Sequence, residues 1–141
     1  MHGDNRNDLR HTWIEAWRKH REEQPLEPLE AQIADVVALH SEYHALLEAP
    51  EQETLEQEWT ALRGETNPFL HMGLHLALYE QLTTNRPTGI RALHQALVTR
   101  RGDRHAAEHA MIECLAEALW QAQRDNRPPD EAAYLAKLKK L

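Results

Sequence analysis

The stretch NPFLHMGLHLALYEQLTT, residues 67–84, decides the fold class. Asn67 offers a side-chain oxygen to the unpaired N–H groups of a helix start. Pro68 suits the first helical position, where its missing N–H costs nothing. Beyond them no apolar/polar alternation of period 2 appears, and apolar residues occupy nearly the whole helical circumference. The pattern predicts a central, mostly buried helix that runs to about Thr83, where TTNRP stops it. On it His71 and His75 stand four apart on one face, in company with Leu74, Leu78 and Leu82.

Working outward, the same punctuation brackets five more helices. One runs from about Asn7 to Glu23 with Leu9, Trp13, Ala16 and Trp17 as its apolar stripe, and QPLEP breaks it. A second spans Pro28 to Glu48, ahead of Pro50. The acidic connector EQETLEQEWTALRGE (residues 51–65) leaves room for a short helical turn around Trp59. Thr88 caps a helix that reaches Arg101, with Gly102 as its stop. Asp103 opens the next, to Arg124, and Asp130 caps the last, whose C-terminal end carries Lys137, Lys139 and Lys140. No hairpin signal occurs anywhere. The expectation is an all-α chain, a compact bundle of five to six helices with short loops, forming a single domain over residues 1–141.

Composition narrows the function classes. A chain of 141 residues with 41% apolar and 28% charged content can bury a real core. Its net charge of −7, with no basic block beyond the terminal KLKK, argues against nucleic acid, whose binding depends on neutralised phosphates. No apolar run approaches the ~20 residues of a membrane helix. The start, MHGDNRNDLR, lacks a signal peptide's apolar segment. The single Cys114 excludes an internal disulfide and fits a reducing compartment. A cytoplasmic protein with no membrane or nucleic-acid partner is expected; a homo-oligomer stays open.

Histidine is the unusual count, at 10 residues. HSEYH places His40 and His44 within the apolar stripe of the second expected helix, beside Ile33, Val36, Val37 and Leu47. HMGLH repeats the spacing with His71 and His75, and HAAEH repeats it with His105 and His109. On that last helix Glu108 lies near the centre of the face formed by Met111, Ile112, Leu115 and Leu119. Glu113 and Glu117 fall further round, toward solvent. Inward imidazoles without partners cost roughly 1–3 kcal/mol each, so selection for packing alone would use Leu or Met. His94 alone reads as a hydrogen-bonded core residue, and Tyr43 and Tyr79 read equally as packing aromatics or as hydrogen-bonding neighbours of a ligand.

The expected site is therefore a metal centre of His40, His44, His71, His75, His105, Glu108 and His109. These exceed the four ligands of one structural zinc and suffice for two ions. Nitrogen-rich ligands suit iron, zinc, copper or nickel rather than magnesium or calcium. Iron comes first, because redox or oxygen chemistry would explain a buried nitrogen-rich site, with zinc the alternative and a small molecule at the metal left open. H-x-x-E-H also occurs in zinc peptidases, but those are much larger. A small zinc-dependent hydrolase with Glu108 as base stays open. So does a non-enzymatic structural or interaction protein whose histidines form a hydrogen-bonded core. Such a salt bridge as Arg91 could offer is the other way to satisfy an inward Glu108.

Several long segments occur in an order that carries a resemblance: PLEPLEAQIADVVALHSEYHALLE, GETNPFLHMGLHLALYEQL, PTGIRAL, HAAEHAMIECLAEALWQAQR and PPDEAAYL. Together they resemble the bacterial family described as domain of unknown function eighteen forty-one, over nearly the whole chain. The resemblance implies a small, largely helical cytoplasmic protein. It implies no activity, cofactor or site residue.

Overall fold

The computed structural model describes residues 2–59 and 66–141. Among them lie eight α-helices and one 3-10 turn, and no strand. The backbone gathers into two compact units, Met1–Leu76 and Ala77–Leu141.

The first unit contains α1 (His2–Arg21), α2 (Pro28–Ala38), the 3-10 turn Ser41–Tyr43, α3 (His44–Glu48) and α4 (Glu51–Glu56). It also holds the start of α5 (Pro68–Thr84). Helix α1 packs on α2, α3 and α4. Its stripe buries Trp13, Ala16 and Trp17, while Leu9 is left exposed. From α2 come Ile33, Ala34, Val36 and Val37, all buried. Each large apolar side chain so removed from water contributes about 1.5–3 kcal/mol. Ile33→Ala would therefore cost about 2–5 kcal/mol. Leu29, in the first turn of α2, faces solvent.

Two differences raise the helix count above the expected five to six. The helix expected over Pro28–Glu48 is broken after Ala38, and the acidic connector holds α4. Trp59 itself stands in irregular backbone, and the connector's residues 60–65 lie outside the described residues. Helix α4 has an anchor that its own sequence does not reveal. Arg10 is buried, and its guanidinium donates to the carbonyls of Thr54, Leu55 and Gln57, the last at 2.7 Å. These carbonyls stand at the C-terminal end of α4, where intrahelical donors run out; Thr54 O takes one further bond, from Gln57 N at 3.4 Å. The same guanidinium stacks against the rings of Trp59 and Phe69.

The second unit is formed by the rest of α5 with α6 (Ile90–Arg101), α7 (Arg104–Arg124) and α8 (Glu131–Lys139). Helix α7 packs on α6 and α8, burying Ala107, Met111, Ile112 and Leu115. Leu119 is 40% exposed, so the inward face ends a turn earlier than expected. The terminal residues act as the sequence implies. Asn67 Oδ1 accepts from Phe69 N, Asp103 caps α7 through His105 N, and Asp130 caps α8 through Ala133 N. Gly102 takes the left-handed conformation (φ 68°) that ends α6. At the other end of α6 the residue preceding the helix is Gly89 (φ 97°), not Thr88. A left-handed residue there favours glycine over a β-branched one.

Candidate metal centre

The break in the second expected helix is made by the histidines themselves. The N–H groups of Leu39 and His40 reach back three residues, to Val36 O and Val37 O, instead of four. Helix α2 thus tightens and ends. His40 Nδ1 then donates to Val36 O at 2.7 Å, and His44 Nε2 donates to Val37 O at 2.8 Å. Two imidazoles complete the carbonyls at the end of α2, as cationic or donor side chains do near helix C-termini. His40 and His44 consequently do not share a helical face.

Each hydrogen bond fixes a tautomer. With its Nδ1–H given to a carbonyl, a neutral His40 carries its lone pair on Nε2, the form in which imidazole binds metal. His40 is fully buried, its ring stacked on Tyr43 at 5.7 Å. Its edge meets His71 at 5.0 Å and His75 at 4.8 Å between ring centroids. His71 and His75 come from successive turns of α5, with centroids 5.9 Å apart. Each of the three offers a ring nitrogen, and these atoms lie within 4.8 Å of one another. His75 is fully buried and His71 half-buried.

Nitrogens on a tetrahedral zinc stand about 3.3 Å apart when Zn–N is about 2.0–2.1 Å. The ring nitrogens here lie within 4.8 Å of one another, a looser grouping than a bound ion would impose. His44 goes elsewhere: its ring lies against Trp17 at 4.6 Å, and Trp17 Nε1 donates to Glu48 at 3.0 Å.

In the second unit Glu108 is 2% exposed, as its central place on the α7 face implied. Its Oε1 accepts from Tyr79 Oη at 2.9 Å; its Oε2 accepts from His94 Nε2 at 2.8 Å and Arg104 Nε at 2.9 Å. The arginine is thus Arg104, one helical turn away, whereas Arg91 donates to the carbonyls of Leu82 and Thr83. Burial, then the neighbouring carboxylate, push the Tyr79 phenol above its ordinary range, so it remains a donor. The bond to Glu108 holds the Arg104 guanidinium firmly protonated. The His105 and His109 rings on α7 lie 4.1 Å apart, tilted by 51°, the first exposed and the second half-buried. His94 is hydrogen-bonded and largely buried, as its sequence reading has it, but the sequence does not reveal its partner. Its spacing from Glu108 crosses a helix–helix turn and leaves no periodic signal.

Fold and site together define an all-helical protein with a buried histidine cluster of ligand-like geometry. The chain belongs to the family described as domain of unknown function (DUF1841), which matches residues 5–140. No curated protein and no solved structure matches it. Among the described residues, no helix is long and apolar enough to cross a membrane.

Proposed function

We propose that the first unit binds a transition-metal ion through His40, His71 and His75. The observation that carries this reading is the convergence of three imidazole nitrogens within 4.8 Å, one of them pre-set as a metal-binding tautomer by Val36 O. Neutral imidazoles suit zinc, iron, copper and nickel. Zinc now stands ahead of iron. Three histidines are a familiar zinc set, whereas non-haem iron commonly adds a carboxylate, and Glu108 is already engaged by three donors. Three nitrogens leave a fourth position for water, a small molecule or another side chain. An open position on zinc would supply an activated water.

The wider set, with His44, His105, Glu108 and His109 and two ions, is the alternative that stoichiometry decides. Chelator-treated protein titrated with zinc should take up one equivalent and gain thermal stability, because metal binding adds to folding free energy. His71→Ala should abolish uptake, while His20→Ala should not. Two equivalents would favour the dinuclear alternative. No uptake, with stability indifferent to chelator, would support the structural reading, in which these imidazoles serve as hydrogen-bonding and packing groups like His44.

A further inference from the structure

The second unit carries a groove of about 780 Å³ at the α6–α7 corner. Its nitrogen-bearing walls are His94, Arg100 and Arg104; Gln95 and Thr99 add neutral hydrogen-bonding groups, and Ala92, Ala96 and Val98 add apolar surface. Among the described residues no carboxylate lines it, although the chain has 23 acidic residues against 16 basic ones. Glu108 lies behind the wall, 2% exposed, and Asp103, the residue before Arg104, is turned to the N–H of His105 as the cap of α7.

That buried carboxylate positions the wall. One oxygen, Oε2, holds both His94 and Arg104, and the Arg104 guanidinium also stands over the Tyr79 ring at 5.8 Å. Arg104 is fixed through Nε, and its side chain is 66% exposed. Tyr79 also meets this guanidinium, yet at that exposure its outer edge faces solvent, where a carboxylate or phosphate can approach it. Arg100, from the last turn of α6, adds a cation that Glu108 does not neutralise. The smaller cavity of about 350 Å³ between α7 and α8 lacks this imbalance. There Arg127 is paired with Asp125, and Lys137 with Glu117.

We propose that this groove binds a small oxyanion, the carboxylate or phosphate head of a small molecule, with Arg100 and Arg104 as its contacts and an apolar portion lying along Ala92 and Ala96. The site shares no residue with the histidine cluster of the first unit, and the proposal does not depend on a metal there.

The test is NMR titration of the isotope-labelled full chain with inorganic phosphate and, separately, hexanoate. Saturable shifts of the Arg104 Nε–H and His94 ring signals are expected with at least one probe. Response to phosphate alone or hexanoate alone supports the site and names the head group. Arg100→Gln, an exposed change, should weaken binding about two- to fivefold. Lys139→Gln should leave it unchanged. Absence of saturable shifts at both residues up to about 10 mM of either probe, a limit that excludes any useful affinity, overturns the proposal. Equal binding by Arg100→Gln overturns it too, as do shifts centred on His71, which would mark the other site.

Discussion

The two units bury polar side chains in opposite ways. In the second, an acid sits at the centre and donors surround it: Glu108 takes a phenol, an imidazole and a guanidinium on its two oxygens. In the first, three imidazoles meet edge to face, and His40 is oriented by a backbone carbonyl rather than by a charge. The first arrangement assembles like groups whose lone pairs can converge on a cation. The second places an anion among donors that satisfy it. A buried histidine is thus informative only through what its ring nitrogens face.

The comparison breaks most visibly at His75. His75→Ala removes a fully buried ring, and should both abolish zinc uptake and cost about 2–4 kcal/mol through the cavity left behind. Metal analysis and thermal unfolding check the two parts separately. His105→Ala and His109→Ala extend the test to ligands expected from sequence. Metal loss in either adds that residue to the set, and retention removes it.

Glu108→Gln should come next, at about 1–3 kcal/mol with zinc uptake unchanged. The amide can still accept from Tyr79 but loses the charge that Arg104 meets, and the 66% exposure of Arg104 tempers the loss. Loss of zinc uptake in this variant would erase the distinction between the two units. His44→Ala should cost about 1 kcal/mol, the worth of its bond to Val37 O, and leave metal content intact.

The smallest effect is a pH dependence at α1. His11 pairs with Glu51, and that hydrogen bond raises its pKa. A folded pKa above the unfolded value of about 6.5 means stabilisation present below that pH and lost as pH rises through the folded value. Unfolding midpoints of His11→Ala should therefore show a shallower decline above about pH 6.5 than the unsubstituted chain.

Much of this architecture is legible from residues with strong local chemistry. Asn67 with Pro68, Gly102, Asp103 and Asp130 mark helix ends because their preferences are intrinsic. Glu108's burial also follows from its place among Met111, Ile112 and Leu115. The break at Leu39–His40 was hidden because no glycine or proline marks it. It depends on side chains folding back onto Val36 and Val37, an arrangement the i,i+4 spacing masks by mimicking helix. The partnership of His94 with Glu108, and of Arg10 with the end of α4, joins residues from different elements, so periodicity within one helix has no access to either.

The most direct test is anomalous scattering at the zinc edge from crystals of the protein grown with zinc. The account predicts one strong peak about 2.1 Å from Nε2 of His40 and within bonding distance of ring nitrogens of His71 and His75. A map without density there, or a peak bound only to exposed histidines, would contradict it.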